Sequence, residues 1–386
     1  MFGDKGTTER SGEVYLPYVG HVSDHAVLLR DGSMMAMGHV SGTPFELEEP
    51  ESRNARSRNL NTLFRNIADD NVTVCTHLIR HPDIAELPPA TFRSEFAARL
   101  DRAYRDRVLD GKLFRNDYFF SLVVSPRNVL GKAGRKIARL GRKRAESNTE
   151  ETLRALEDVW HVVTNGLEAY GVRRLGLREK NEVLFTEIGE ALRLMITCRW
   201  MPVPMVNGSL GASIYTDRVI CGKRGFEVRA PAESSVGTLF SFREYPAKTR
   251  PGMLDTLLNA DFPLVLSQSY AFLTRAQAHG RLSMKSSQMV SAGDKALTQI
   301  AELAEAEDAL ASNEFVMGSH HLSLAVYADT LKQLADRSAR ARARLTDAGA
   351  VVVQEGIGME AAFWSQLPGN IEWRTRPGAV SSRNFA

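Results

Sequence analysis

The sequence has few cysteines, and none of them are paired in a motif. Only three occur in 386 residues, at Cys75, Cys198 and Cys221, and no two are spaced as C-x-x-C. This spacing argues against a disulfide framework and against a zinc site built from cysteine pairs. We therefore expect buried thiols in a protein of a reducing compartment.

Long apolar runs are also missing. No stretch of about 18 apolar residues occurs, so no segment is predicted to cross a bilayer as a helix. The N-terminal sequence MFGDKGTTERSGEV is polar and lacks the apolar core of a signal peptide. The expectation is a cytoplasmic protein that meets a membrane only through partners or through its surface.

The motifs of common catalytic and nucleotide-binding sites do not occur. No G-x-x-x-x-G-K-[ST] is present, and the run 131–136 (GKAGRK) lacks the Ser or Thr that would bind Mg²⁺. There is no G-x-S-x-G elbow and no G-x-G-x-x-G that opens a helix after a strand. His77 and His81 lie in a predicted strand, and His320 and His321 are adjacent, so neither pair is spaced to share a metal ion. We expect no catalytic, cofactor-binding or metal-binding residue in this chain.

The overall composition is that of an ordinary globular protein. Hydrophobic residues make up 43% and charged residues 25% of the chain, which is close to the average. A length of 386 residues favours two or three domains. The formal net charge is +3 at pH 7, which is too small to indicate nucleic-acid binding by itself.

Hydrophobic periodicity predicts an α+β fold. Apolar runs such as 72–79 (VTVCTHLI) and 117–124 (DYFFSLVV) predict strands, and Asp31-Gly32 predicts a hairpin turn. Helices are predicted between them from apolar repeats at three and four residues. We expect antiparallel or mixed sheets with packed helices, and neither a Rossmann fold nor a P-loop domain. The order β-α-β-α-β over residues 263–354 predicts a ferredoxin-like arrangement there.

The main predicted domain boundary lies between residues 246 and 251. Pro246 and Pro251 occur there, and the pattern of predicted strands and helices changes after them. The predicted parts are a flexible lead (1–13), N-terminal α+β subdomains (14–246), a second α+β subdomain with a long helix (251–360) and a terminal segment (361–386).

One predicted helix has features that bear on partners. The stretch 276–313 is helical in pattern and would reach about 50 Å if it were continuous. Its second half is acidic and rich in alanine. This is typical either of a surface helix that packs on the fold through one apolar stripe, or of a projecting hairpin that contacts another subunit. A second helix is predicted at 90–109. Its apolar face consists of Phe92, Phe96, Leu100 and Tyr104.

Residues 127–144 (RNVLGKAGRKIARLGRKR) form a basic run without an acidic residue. Such runs are most often solvated faces or loops. The alternative is a patch that binds anionic lipid headgroups or nucleic acid. No aromatic residue lies within the run, which argues against a site where the bases of a single strand stack on aromatic side chains. A helix predicted at 330–345 adds arginines between Arg337 and Arg344. The basic patch comprises Lys132, Arg135, Lys136, Arg139, Arg142, Lys143 and Arg144.

The terminal segment, residues 361–386 (AAFWSQLPGNIEWRTRPGAVSSRNFA), is rich in aromatic residues. Phe363, Trp364 and Trp373 lie close together and are separated by the turn sequence Pro368-Gly369-Asn370. Disordered tails are poor in aromatic residues. We therefore expect this segment to be packed and to form a connection to a following domain.

Three motifs carry a family resemblance. FWSQLPGN at 363–370, followed by R-x-R-P and S-S-x-N-F-A, resembles the junction in the large ATPases of type IV secretion and conjugal transfer systems, the CagE/TrbE/VirB family. The run 315–321 (FVMGSHH) is similar to the F-x-M-G-x-H-H strand of that family. Leu16-Pro17-Tyr18 with His21 is similar to its opening segment. The resemblance covers nearly the whole chain and is most specific in the terminal motif.

The resemblance implies a function that this chain does not perform alone. In that family the terminal segment closes an N-terminal domain and leads into a RecA-like domain, which binds ATP and Mg²⁺ and hydrolyses ATP. This chain would then be the assembly and docking module of an ATPase that powers conjugative DNA or effector-protein transfer and pilus biogenesis. Phe363, Trp364, Pro368 and Trp373 would hold the junction between the domains.

Partners and location are further implications of the resemblance. It implies a homo-oligomer, expected to be a hexamer, that contacts the inner-membrane subunits of the secretion system and the membrane surface. Contact with substrate DNA would be made by the longer parent protein. The implied location is cytoplasmic, at the inner membrane of a Gram-negative bacterium. The alternative from another class is a basic nucleic-acid-binding protein without enzymatic activity.

Overall fold

Strands from all along the chain join one large antiparallel sheet. In the residues that it describes, the computed structural model shows a sheet of thirteen strands, and every pairing between them is antiparallel. The predicted α+β class with antiparallel sheets and packed helices is therefore confirmed. The described residues are 11–44, 48–83, 90–109, 113–127, 142–231, 233–246, 248–291 and 297–386.

The strands differ widely in length, and the longest ones lie at the centre of the sheet. Along the chain they are β1 (Tyr18–Ser23), β2 (Ala26–Leu29), β3 (Met34–Val40), β4 (Val72–Pro82), β5 (Phe114–Val124), β6 (Val172–Arg174), β7 (Leu177–Lys180), β8 (Val183–Thr186), β9 (Arg218–Cys221), β10 (Phe226–Arg229), β11 (Ser234–Glu244), β12 (Leu264–Phe272), β13 (Met317–Ala328), β14 (Val351–Gln354) and β15 (Gly378–Ser381). Their order in the sheet is β1-β2-β3-β5-β4-β12-β13-β11-β10-β9, with β6 beside β3, β14 beside β11 and β15 beside β13. The hairpin β7–β8 forms a separate sheet.

The helices connect these strands and begin at recognisable caps. The hydroxyls of Thr186 and Thr330 accept hydrogen bonds from backbone amides three residues later, as N-cap residues do. None of the helices in the described ranges is both long and apolar enough to cross a membrane. The helices are α1 (Pro50–Asn66), α2 (Glu95–Leu109), α3 (Arg142–Gly166), α4 (Glu187–Thr197), α5 (Leu210–Ile214), α6 (Arg275–Ser291), α7 (Leu297–Ala311), α8 (Leu331–Asp347), α9 (Met359–Trp364) and α10 (Ser382–Phe385).

Helices cover both faces of the sheet, and this explains why its central strands are apolar along most of their length. β4 and β12 are buried at nearly every residue. On one face, Leu63 of α1, Trp160 of α3 and Leu345 of α8 pack against the strands. On the other face, Leu192 of α4 and Phe363 of α9 belong to one apolar cluster. The core is therefore divided by the sheet into two layers.

The sheet is continuous across the predicted boundary at 246–251. β4 pairs with β12, in register from Arg80 opposite Leu264 to Thr73 opposite Ala271. The division into domains at this boundary stays a prediction, and of the predicted lead at 1–13 the first ten residues lie outside the described ranges.

The C-terminal part differs from the expected arrangement in its strand partners and its long helix. β12 and β13 are antiparallel neighbours, while β14 pairs with β11. The ferredoxin-like arrangement predicted for residues 263–354 is thus not confirmed. The long predicted helix at 276–313 appears as α6 and α7, and the residues between them, 292–296, lie outside the described ranges.

Candidate functional site

The terminal segment begins in α9, which is packed into the core by two aromatic side chains. Phe363 and Trp364 are 1% and 2% exposed. The indole of Trp364 stacks on the ring of Tyr15 with centroids 5.2 Å apart, and Phe363 lies 4.8 Å from the ring of Phe226. Tyr15 ends a short 3-10 helix, Gly12–Tyr15, near the other end of the chain. The start of the terminal segment is therefore bound to the first described residues.

The Pro-Gly-Asn turn of the terminal segment is held by hydrogen bonds to the same region. The hydroxyl of Tyr18 donates to the carbonyl of Pro368 at 2.8 Å, and both residues are buried. The side-chain amide of Asn370 donates to the carbonyls of Tyr15 and Trp364, each at 2.9 Å. Gly369 has φ +92°, and a Cβ there would meet the side chain of Leu29. Glycine is therefore the residue that this turn accommodates.

Trp373 is the most exposed of the four residues predicted to hold a domain junction. It is 39% exposed and meets Tyr15 edge-on, with ring centroids 5.0 Å apart. The structure thus brings Trp364 and Trp373 together against Tyr15, with Pro368 on the neighbouring turn. Their role at a domain junction stays a prediction.

The middle of the terminal segment lies over a buried row of polar side chains, which we call the polar stripe. On adjacent strands, Cys75 faces Ser269 and His77 faces Ser267. The imidazole Nε2 of His77 donates to the carbonyl of Gln366 at 2.6 Å, which connects the stripe to the segment. The polar stripe comprises Cys75, His77, Ser121, Ser267, Ser269, His321 and Ser323.

Several polar atoms at this contact have no hydrogen-bond partner among the described residues. Burying a polar group without a partner costs free energy. Burial also lowers the pKa of His77 to about 4 and that of His321 to about 4, so both are neutral at pH 7. The contact between Gln366 and the polar stripe is therefore less favourable than the aromatic contact of Trp364 beside it. The atoms without a partner are Oγ of Ser121, Ser267, Ser269 and Ser323, Nδ1 of His77, Nε2 of His321 and Oε1 of Gln366.

The end of the terminal segment is anchored on the opposite face of the sheet. β15 pairs with β13, from Met317 opposite Ser381 to His320 opposite Gly378. In α10 the hydroxyl of Ser382 donates to the side chain of Asn61 at 2.6 Å. Phe385 stacks on Tyr270 with centroids 4.5 Å apart and packs with the α1 and α3 cluster. The segment therefore passes from one face of the sheet to the other as strand β15.

The predicted basic patch lies largely outside the described residues. Lys132, Arg135, Lys136 and Arg139 are outside them, and for Arg142, Lys143 and Arg144 only the backbone at the start of α3 is described. Its proposed role therefore stays a prediction.

The arginines of α8 are occupied by contacts within the fold. Arg340 forms an ion pair with Asp261, and the guanidinium of Arg344 donates to the carbonyl of Thr256. Arg337 donates to the carbonyl of Tyr327 at 2.8 Å. These arginines serve the packing of α8 against its own sheet.

A cavity of about 980 Å³ opens beside α4. On its wall the carboxylate of Asp117 accepts hydrogen bonds from His81 at 2.8 Å and from His39 at 3.0 Å. Burial alone would raise the pKa of Asp117, but these hydrogen bonds and the charge of Arg115 outweigh it and hold the pKa well below its usual range. Among the described residues, no group of three His, Cys, Asp or Glu side chains is arranged to hold a metal ion.

Two family models match the sequence. Residues 173–376 match the CagE, TrbE, VirB family, described as a component of a type IV transporter system. That match covers more than half of the chain. The chain belongs to this family. Residues 25–131 match a second model, the N-terminal domain of the type IV secretion system ATPase VirB4/TrbE.

Curated relatives align with nearly the whole chain. Protein virB4 of Agrobacterium fabrum is 67% identical over 386 residues, and the type IV secretion system protein virB4 of Bartonella henselae is 40% identical over 378 residues. The type IV secretion system protein PtlC of Bordetella pertussis is 28% identical over 393 residues. These alignments cover 100%, 97% and 98% of this chain but 49%, 48% and 46% of the relatives. The chain spans about half the length of the curated relatives that it matches.

The family's terminal motif FWSQLPGN lies inside the longer match, and its contacts were partly missed by sequence reasoning. The polar stripe had a signal in the alternating serines of β12 (Leu264–Phe272), where Ser267 and Ser269 interrupt an apolar strand. No local signal pointed to Tyr15 as the partner of Trp364, because the two residues come from opposite ends of the chain.

Proposed function

We propose that this chain is the assembly and docking module of a type IV secretion ATPase. Its family membership and the names of its relatives connect it to type IV secretion. The terminal segment carries the proposal, because it is bound to the sheet at its start by Trp364 on Tyr15 and at its end by Phe385 on Tyr270. A segment anchored at both ends passes a displacement of whatever follows it directly to the sheet.

In this proposal ATP hydrolysis belongs to a RecA-like domain after residue 386. That domain binds ATP and Mg²⁺, and Phe363, Trp364, Pro368 and Trp373 hold the junction to it. The length of the relatives supports this division of labour, since this chain accounts for 49% of the virB4 protein of Agrobacterium fabrum.

The assembly role includes partners that the resemblance implies. We propose a hexamer on the cytoplasmic side of the inner membrane, in contact with the inner-membrane subunits of the secretion system. The transferred substrate is DNA or an effector protein, and the longer protein handles it.

Titration with Mg-ATP tests the division of labour. Isothermal titration of residues 1–386 and of the longer protein should show binding to the longer protein and none to residues 1–386. Binding of similar affinity to both would contradict the proposal, because the nucleotide site would then lie in this half. Titration of the same two proteins with ADP is the control. It shows whether a site recognises only the adenosine diphosphate part of the nucleotide.

A further inference from the structure

Helix α2 turns its bulky apolar side chains away from the protein. Phe96, Leu100 and Tyr104 are 69%, 61% and 60% exposed. The half-buried residues of the helix are Ala97, Ala98, Asp101 and Arg105, and the last two form an ion pair with each other. A surface helix normally does the reverse and buries its apolar stripe against the core. The outward stripe is therefore a surface for a partner.

Arginines lie beside this stripe. Arg99 follows Phe96 by three residues and Arg107 follows Tyr104 by three residues, so each is a neighbour of an apolar side chain on the helix surface. Arg99 and Arg107 are exposed. A partner that suits this surface offers small or apolar side chains together with acidic ones, because complementary charges favour the contact.

The hairpin of α6 and α7 offers such a surface. On α7, the exposed residues Ala304, Glu305 and Asp308 lie on one side of the helix, and residues 302–311 contain no basic residue. On α6 the exposed Met284 is flanked by the exposed cations Arg281 and Lys285, so the acidic surface of the hairpin is that of α7. The hairpin is held to the fold from its other side, where Ala278, Leu310, Phe315 and Met317 form a small core.

The two surfaces belong to opposite ends of the central strands. Both connections of α2 leave from the end of the sheet where Pro82 of β4 faces Phe114 of β5. The hairpin starts after Phe272, at the end of β12 that lies beside the start of β4. β4 is eleven residues long, which corresponds to about 35 Å. The α2 surface is therefore placed to meet the hairpin of another copy rather than its own.

We propose that α2 of one copy binds the α6–α7 hairpin of a second copy of this chain. Phe96, Leu100 and Tyr104 pack around Ala304, while Arg99 and Arg107 face Glu305 and Asp308 of α7. The two surfaces differ, so the contact is head-to-tail and repeats from copy to copy, and it closes into a ring if the rotation between copies allows. This inference rests on the proposed assembly function and names the partner as the chain itself.

Cross-linking between two single-cysteine variants tests the contact. Leu100→Cys and Ala304→Cys are made separately, each with Cys221→Ser, because Cys75 and Cys198 are buried and Cys221 is half-buried. Mixed and treated with a short bis-maleimide, the two variants should form a mixed dimer, recognised by tags of different size. Ile357→Cys is the control, since Ile357 is fully exposed on another surface. A mixed dimer no more abundant than with this control, or one confined to Leu100→Cys with itself, would overturn the proposal.

Charge reversal tests the same contact without cysteines. Arg99→Glu with Arg107→Glu should reduce self-association in sedimentation velocity, and mixing this variant with Glu305→Arg and Asp308→Arg should restore it. Phe96→Ala with Leu100→Ala should weaken association about tenfold or more, as expected for two packed interface side chains. Leu331→Ala, at a residue 62% exposed elsewhere, is the control and should have no effect.

Two results would overturn the proposal in this second experiment. One is a wild-type chain that stays monomeric at its highest attainable concentration. The other is an α2 variant that associates normally but loses binding to phosphatidylglycerol vesicles, which would assign the surface to lipid. Neither result bears on the Mg-ATP titration, so a failure of this contact is distinguishable from a failure of the proposed function.

Discussion

The indole ring of Trp364 stacks on the phenol ring of Tyr15, with centroids 5.2 Å apart and planes inclined by 13°. Trp373 meets the same ring edge-on. One tyrosine near the start of the chain therefore contacts two tryptophans of the terminal segment. The position of that segment depends on a residue that lies 349 positions before Trp364 in the sequence.

Replacing Trp364 should destabilise the protein strongly. Trp364→Ala removes a side chain that is 2% exposed, and large-to-small changes of this kind cost about 3–5 kcal/mol of unfolding free energy. Trp373→Ala is the matched control, because Trp373 touches the same tyrosine but is 39% exposed. Urea denaturation measures both. Equal losses for the two variants would show that the buried stack is not what holds the segment.

The turn at Gly369 should reject even a methyl group. Gly369→Ala combines a left-handed backbone at φ +92° with a clash against Leu29, and we expect a loss of about 2–4 kcal/mol from backbone strain and overpacking together. Gly42→Ala separates the two effects, since Gly42 has φ +77° with open space around it. A thermal denaturation series that ranks Gly42→Ala as the more damaging change would refute this reading of the turn.

Buried histidines should make stability depend on pH. Burial lowers the pKa of His77 to about 4, of His320 to about 3 and of His321 to about 4. An unfolded histidine has a pKa of about 6.5, so below this pH the unfolded chain takes up protons that the folded chain does not. Stability from these groups is fully present above pH 6.5 and falls as the pH drops toward 4, by about 1.4 kcal/mol per pH unit for each histidine.

The variant His77→Gln should remove one of these contributions. A glutamine amide can still donate to the carbonyl of Gln366 but does not titrate, so the slope of unfolding free energy against pH should become shallower between pH 6.5 and 4.5. An unaltered slope in His77→Gln would mean that this histidine is protonated in the folded state.

The nucleic-acid alternative makes a different prediction. Because Arg340 and Arg344 are engaged with Asp261 and Thr256, their replacement by glutamine should lower stability without changing affinity for DNA. Duplex and single-strand titrations of the unaltered chain at two salt concentrations should show weak binding with little salt dependence. Affinity that falls steeply with salt, and loses this dependence in Lys136→Gln with Arg139→Gln, would favour the alternative instead.

Elements with a strong local pattern could be predicted from the sequence. The runs 72–79 and 117–124 are mostly apolar because both faces of the sheet are covered, and both are strands in the structure. The α+β class follows from such elements. The pairing of β4 with β12 could not be predicted, because it joins segments far apart in sequence and depends on contacts that a local pattern does not record.

The candidate surfaces, too, could be predicted only in part from the local sequence pattern. The helical period identified Phe96, Leu100 and Tyr104 as one face of α2, but it could not tell whether that face is buried or exposed. Aromatic content pointed to the terminal segment as packed, but the polar stripe beneath it arises from serines on neighbouring strands that come together only in the folded sheet.

The central claim is that the terminal segment couples an ATPase domain to this module. Its most direct test measures ATP hydrolysis and substrate transfer side by side in the longer protein that carries Trp373→Ala, a change at a partly exposed residue of the segment. The account predicts hydrolysis per folded molecule close to that of the unaltered protein and a clear loss of transfer. Transfer that keeps pace with hydrolysis in this variant, and also in Trp364→Ala after correction for folded protein, would contradict the account.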